Sequence, residues 1–161
     1  MEFRAGPQAG FTLIELMIVV VIVTILLSIA VPSYMSEIRQ SRRTEAKTAL
    51  LDLAGREESY FSTGSNYTTA GANLGYAAGF GAGNPIGSGY YYLTVCSPAA
   101  TNCTAALGMP NPPAAPSYTI VALPVAGSSQ AKDTQCTAFA VDSAGQQYAT
   151  GTAGSATCWS Q

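Results

Sequence analysis

Residues 16–31 read LMIVVVIVTILLSIAV, sixteen positions in a row without a charge. Nothing else in the chain limits its folding so strongly. At about 1.5 Å of rise per residue, a helix over residues 11–31 is roughly 30 Å long, the thickness of a bilayer's hydrocarbon core. The run is apolar on all sides, so it either crosses a membrane or is enclosed by other apolar surfaces. Thr24 and Ser28 do not spoil it, because each hydroxyl can bond back to a carbonyl one turn earlier. A secretory signal fits poorly, since its apolar core is about 7–15 residues long and ends in small residues. Here the run is longer, and Ile29-Ala30-Val31-Pro32 offers no such cleavage site. A plain anchor leaves Glu15 unexplained: a carboxylate in hydrocarbon costs about 2.5–3.5 kcal/mol on insertion scales.

Residues 1–10, MEFRAGPQAG, form a short polar leader ending in Gly10, and Phe11-Thr12-Leu13-Ile14-Glu15 follow. This Gly-Phe-Thr-Leu-Ile-Glu junction resembles the prepilin cleavage and methylation motif of type IV pilins and pseudopilins. The resemblance implies that a membrane prepilin peptidase cuts between Gly10 and Phe11 and that the new Phe11 amine is methylated. It also implies a role in assembly for Phe11 and Glu15. Cleavage would create a cation one helical turn before Glu15, so the two charges could pair at i, i+4 within their own helix. In a filament the carboxylate could instead meet the Phe11 amine of a neighbouring copy, removing an unpaired charge from an apolar setting. A third placement, at the headgroup level, keeps Glu15 hydrated.

Pro32 lacks an N–H and clashes with the carbonyl four residues back, so it marks a helix kink or the exit from the membrane. Beyond it, Ala46, Ala49, Leu50, Leu53, Glu57, Tyr60 and Phe61 recur at three- and four-residue steps. That stripe predicts an amphipathic helix to residue 62, its polarity broken only by Glu57, with Gly64 and Asn66 as stop signals. Gly55 weakens the helix by about 1 kcal/mol relative to Ala, so packing must hold it. A long N-terminal helix is also the spine of the pilin family, and the resemblance continues through Pro32, Tyr34, Arg43-Thr44-Glu45-Ala46 and Tyr60. Thr24 departs from it, standing where many major pilins carry Gly. Local melting is therefore expected less at Thr24 than at Pro32.

Arg39, Arg42, Arg43 and Lys47 interleave with Glu37, Glu45 and Asp52. The spacing predicts ion pairs along a solvated helix face. Taken alone, the positive-inside rule would put these residues in the cytoplasm. Cysteine usage and the pilin resemblance both put them on the other side.

Residues 63–89 contain eight glycines and match no phosphate-cradling pattern, so they read as a surface loop pinned by Tyr67, Tyr76 and Phe80. Aromatic and β-branched residues predict strands at 90–95, 118–123 and 137–141, with a short return at 146–149 after the turn Asp142-Ser143-Ala144-Gly145. Strands joined by short turns make an antiparallel sheet, expected to bury one face on the helix and expose the other. The fold class is α+β: a long N-terminal α-helix, membrane-spanning in its first half, packed on a C-terminal antiparallel β-sheet head with a disulfide loop. The expected division is a cleaved leader at 1–10, the helix at 11–62 (membrane-spanning at about 11–31), and the head at 63–161.

The four cysteines, Cys96, Cys103, Cys136 and Cys158, fit neither a zinc ribbon nor a C-x-x-C redox pair. An even count in an exported chain points to two disulfides, with three connectivities open. The expected one pairs Cys96–Cys103 and Cys136–Cys158. The second bridge resembles the C-terminal disulfide loop of type IV pilins, including the closing Cys158-Trp159, and is worth around 3 kcal/mol in the chain-entropy model. Asn66-Tyr67-Thr68 and Asn102-Cys103-Thr104 fit the glycosylation pattern and are read as chance matches.

Composition narrows the function. The chain of 161 residues is 10% charged, against about 25% in an average globular protein, and contains no His. Triads built on His, His-ligated zinc and a neutral-pH proton shuttle are thereby excluded. No catalytic residues, cofactor or metal are expected, and the chain does not read as an enzyme. From Glu57 onward four acids face Lys132 alone, so DNA binding by an isolated head is not expected. The pilin resemblance implies a structural subunit of a type IV pilus, serving motility, adhesion or DNA uptake. Its implied partners are other pilin subunits, the prepilin peptidase, and an inner-membrane assembly platform with separate ATPases. The implied location is the bacterial inner membrane with the head periplasmic, then the surface pilus. The alternatives are a filament-borne DNA or surface receptor and a type II secretion pseudopilin, against which Cys136 and Cys158 count.

Overall fold

The computed structural model describes residues 10–97, 108 and 114–160. The chain divides at Ile38 and Arg39 into two units, and helix α1, Leu13–Gly64, contributes to both. In the first unit the helix is exposed from Leu13 to Glu37. Phe11 is 79% exposed and Ile29 70%, and the other large apolar side chains of this stretch are exposed too. The hydroxyls are satisfied within the helix as expected: Thr24 Oγ1 donates to the Val20 carbonyl and Ser28 Oγ to the Ile25 carbonyl, both at 2.7 Å.

In the second unit the predicted stripe becomes a core face. Ala46, Leu50 and Leu53 are fully buried, with Ala49, Ala54 and Tyr60 at their flanks. They meet a five-stranded antiparallel sheet whose spatial order follows the chain: β1 (Pro85–Ile86), β2 (Tyr91–Cys96), β3 (Thr119–Pro124), β4 (Ala138–Asp142) and β5 (Gln147–Thr150). Each of the four strands expected from the sequence is present, displaced by a single residue. Alternation along them puts Tyr91, Leu93, Ile120, Ala122, Phe139 and Val141 on the helix side. The opposite face differs from expectation. Cys96, Val121, Ala138 and Ala140 form a second buried cluster there, with Leu123 and Tyr148 packed against it.

Two elements carried no pattern. β1 is two residues long, too short for periodicity to show, and it pairs Pro85 with Tyr92 and Ile86 with Tyr91. Helix α2, Ser155–Ser160, is composed of Ser, Ala, Thr, Cys and Trp, a composition weak in helix formers apart from Ala. It is tied down through the Cys136–Cys158 disulfide, as expected. The other expected bridge, Cys96–Cys103, has one half outside the described residues; Cys96 itself is fully buried at the end of β2. The β4–β5 turn forms where predicted. Asp142 Oδ1 accepts the N–H groups of Ala144 and Gln146 at 2.9 and 2.8 Å, and Gly145 takes a φ of +74° that its missing side chain permits.

Glu57, the one polar break in the stripe, is fully buried along with it. Its Oε2 accepts the Thr68 N–H at 3.2 Å, which ties the loop after α1 to the helix, while Oε1 has no hydrogen-bond partner. Burial pushes its carboxyl above the ordinary Glu value; the Thr68 N–H pulls it back, and neighbouring Glu58 adds to the rise. Glu58 in turn accepts the hydroxyls of Tyr67 and Tyr118. A carboxyl raised in the folded state holds its proton to higher pH than in the unfolded chain. The contribution is therefore full below the ordinary Glu value and declines as pH climbs through the raised one. Denaturant midpoints followed by the fluorescence of Trp159, the chain's single Trp, should fall over that interval, and Glu57→Gln should flatten the slope.

Candidate functional site

At the N-terminal junction Gly10 and Phe11 are exposed and precede the first helical turn. Thr12 caps that turn. Its Oγ1 accepts the Glu15 N–H at 3.3 Å, and its carbonyl accepts the Leu16 N–H at 3.2 Å. The spacing Thr12-x-x-Glu15 is that of a capping box, a signal that reading Glu15 only as a charge partner overlooks. Capping starts α1 at Leu13, so the Glu15 carboxylate lies in the first turn, where it opposes the positive end of the helix dipole. Pro32 sits inside α1, and its lack of an N–H deprives the Ser28 carbonyl of a helical donor.

In the second unit the basic cluster of α1 does not form the solvated, self-paired face its spacing predicts. Arg43 and Lys47 are buried. Arg43 Nε and Nη2 grip Asp133 Oδ2 and Oδ1 at 2.7 and 2.8 Å, a bidentate pair ninety residues apart in the chain, and Nη2 also reaches Gln135 Oε1 at 3.1 Å. Asp133 accepts further N–H groups from Gln130 Nε2, Gln135 and Cys136. Burial alone would raise its carboxyl; the Arg43 guanidinium and the backbone N–H groups of Cys136 and Gln135 outweigh that and hold it below the ordinary Asp value. Gln130 also donates to the Tyr91 hydroxyl at 3.0 Å, and burial pushes that phenol up to about 12.

Lys47 Nζ donates to the carbonyls of Cys158 and Trp159, both at 3.4 Å, a cation placed at the negative end of α2. Burial, with Arg43 nearby, lowers its amine below the ordinary Lys value. The two cations thus hold both ends of the disulfide loop: Arg43 through Asp133 at the Cys136 side, Lys47 at the Cys158 side. Glu45 fixes a third segment. Its carboxylate accepts the Ser88 N–H at 2.6 Å and the Ser88 hydroxyl, and Gly87, at a φ of +44°, leaves no room for a Cβ beside it. Of the pairs along the helix itself, Arg56–Asp52 forms at 2.8 Å and is exposed.

Arg42 stacks over the Tyr90 ring, 3.4 Å from its centroid, and donates to Ser129 Oγ at 2.6 Å. Ser129 abuts the 3₁₀ turn Gln130–Lys132, which carries the exposed Lys132. Among the described residues no group of three or more His, Cys, Asp or Glu side chains could hold a metal.

An exposed apolar half-helix, an amphipathic half under an antiparallel meander, and a C-terminal disulfide define a class of architecture, that of the pilins. The comparisons agree. The family described as type IV minor pilin ComP, DNA uptake sequence receptor, matches residues 32–140, and the prokaryotic N-terminal methylation motif matches residues 6–31. The chain belongs to that type IV minor pilin family. The type IV major pilin protein PilA of Myxococcus xanthus is 43% identical over 75 residues, covering 46% of this chain and 34% of that protein. The fimbrial protein EcpC of Eikenella corrodens is 36% identical over 95 residues, covering 59% and 58%. The type IV major fimbrial protein FimA of Dichelobacter nodosus is 44% identical over 71 residues, covering 37% and 46%. The chain thus spans between 34% and 58% of the length of these relatives.

Asp133→Asn tests the clamp on the disulfide loop. Removing the charge from a buried pair leaves the guanidinium without its carboxylate, a loss of about 3–5 kcal/mol. Chemical denaturation should show a midpoint lowered accordingly. Since the lowered Asp133 carboxyl contributes stability that is lost as pH falls through its folded value, the variant should also lose part of the wild type's acid sensitivity.

Proposed function

We propose that this chain is a subunit of a type IV pilus. The observation that carries the reading is the exposed, uncharged stretch at residues 16–31, set directly behind the Gly10-Phe11 junction. Such a surface is at rest only in lipid or among other apolar helices. A prepilin peptidase removes residues 1–10 and methylates Phe11, leaving residues 11–31 as the membrane anchor and the head in the periplasm. The subunit then leaves the inner membrane through an assembly platform driven by separate ATPases and joins other pilin subunits. Phe11 and Glu15 act together in that step: a carboxylate entering an apolar bundle requires a cation, and the Phe11 amine of a neighbour provides one. Pro32 is where the helix bends or loosens on leaving lipid. Intact-mass and N-terminal analysis of the chain from membranes and from sheared pili should show methylated Phe11 at the start. Glu15→Ala should leave the membrane pool intact and deplete the chain from pili. A chain that begins at Met1, or a Glu15→Ala variant that enters pili normally, contradicts this reading.

A second reading, reception of DNA at the filament surface, is favoured by the family match over residues 32–140. With four acids against one base from Glu57 onward, contact must be local rather than spread over the head. Arg42, bonded to Ser129 and stacked on the Tyr90 ring, and the exposed Lys132 of the 3₁₀ turn that follows Ser129 are the residues suited to it. Gel shifts of the full chain in detergent should then weaken with Arg42→Ala or Lys132→Ala. Each substitution should reduce the salt dependence by about one phosphate contact. Retention that is absent, or unaffected by both changes, removes this reading while leaving the first in place.

A further inference from the structure

Among the described residues β5 is the last strand of the sheet, and one of its sides faces no described strand. Such an edge presents unpaired N–H and C=O groups and is a template for another chain. The register shows which groups these are. Asp142 N–H bonds the Gln146 carbonyl at 3.1 Å, and Ala140 stands opposite Tyr148 and Ala138 opposite Thr150. Alternation in an antiparallel ladder then turns the N–H and C=O of Gln147 and Ala149 away from β4. A strand adding itself to β5 would have to bond these.

The Ser155 hydroxyl already occupies two of them. Ala149 N–H donates to Ser155 Oγ at 2.9 Å, and Ser155 Oγ donates to the Gln147 carbonyl at 3.3 Å. A single residue of a parallel neighbour would bond this same pair of groups, one through its N–H and the other through its carbonyl. One hydroxyl, donor and acceptor at once, takes the place of that peptide. Beside it the Trp159 indole N–H donates to the Tyr148 carbonyl at 3.0 Å, a group that the register turns towards β4, so this bond anchors α2 on β5 without occupying an open edge group. Both side chains come from α2, and α2 is held firmly: Cys158 is bonded to Cys136, Lys47 holds its last carbonyls, and the Trp159 ring stands edge-on to Phe139 at 5.9 Å. The opposite edge is blunted differently, by a strand of only two residues that begins with Pro85.

We propose that Ser155 is an edge lock, a hydroxyl that stands in for a neighbouring strand on β5 and prevents a second copy of this chain from pairing with the sheet there. Trp159 reinforces it by anchoring α2 to β5. The lock does not depend on pilus assembly, because any two copies carry identical edges, and an unlocked edge meets its own sequence whenever two heads collide.

The test uses the full chain in detergent, as wild type, Ser155→Ala, Ser155→Thr and Trp159→Phe. In the wild type the Ala149 amide should exchange with deuterium far more slowly than the amide of exposed Gly127 in the β3–β4 connection. Ser155→Ala should speed exchange at Ala149 by roughly tenfold, the equivalent of one lost hydrogen bond. It should also shift sedimentation towards dimers. Ser155→Thr, which keeps the hydroxyl, should restore slow exchange and the wild-type sedimentation. Trp159→Phe, which keeps a ring and removes the N–H, should give a smaller rise in association. The proposal is overturned if wild-type Ala149 exchanges as fast as Gly127, a result independent of whether any variant folds. It is overturned equally if Ser155→Thr behaves as Ser155→Ala, or if neither Ser155→Ala nor Trp159→Phe associates more than the wild type.

Discussion

The second unit of this protein is organised around a charge that has no solvent. Arg43 and Asp133 meet with side chains 5% and 1% exposed, so each has lost its hydration and must recover it from the other. Coulomb attraction alone seldom suffices. Here the carboxylate also collects N–H groups from Gln130, Gln135 and Cys136, and the guanidinium spans both carboxylate oxygens and Gln135. Such a pair contributes less to net stability than its geometry implies, but it tolerates only one alignment of its partners. A helix gripping a sheet through Ala46, Leu50 and Leu53 could slide by a turn at little cost. A helix whose Arg43 must meet Asp133 cannot.

That alignment has consequences along the chain. With Arg43 in place, Lys47 lies one turn further on and meets the last carbonyls of α2, while Glu45 reaches the backbone at Ser88. One helix thus fixes three segments that carry little regular structure of their own. The disulfide makes the arrangement durable, since it joins the segment Arg43 holds to the segment Lys47 holds. α2, positioned in this way, seals the outer side of β5. The first unit is built on the opposite principle: its apolar side chains are left uncovered, and the hydrophobic effect supplies the drive to find lipid or other helices.

Much of this was legible in the chain, and each miss has a physical cause. The apolar run, the three- and four-residue stripe of α1, four strands to within one residue, and the Asp142-Ser143-Ala144-Gly145 turn all follow from local periodicity or turn chemistry. The N-terminal methylation motif was legible because its pattern lies in a few consecutive residues. What failed was the reading of charges. Arg43 and Lys47 look like solvated helix residues, because burial of a charge depends on a partner far along the chain. The Thr12 cap was written in the sequence and needed only the capping-box spacing to be applied. β1 and α2 were too short to show any period.

By itself, then, the sequence determined that a helix long enough to cross a bilayer precedes a small antiparallel head, because repeating apolar spacing acts within a few residues. It also carries the N-terminal methylation motif matched at residues 6–31, which is local chemistry. Only the tertiary structure decided which charges go inside, which loop segments the helix holds, and that the sheet's last edge is closed by a serine hydroxyl. Those outcomes are pairings between residues tens of positions apart, and no local pattern encodes the distance between two side chains that meet only after the chain has folded.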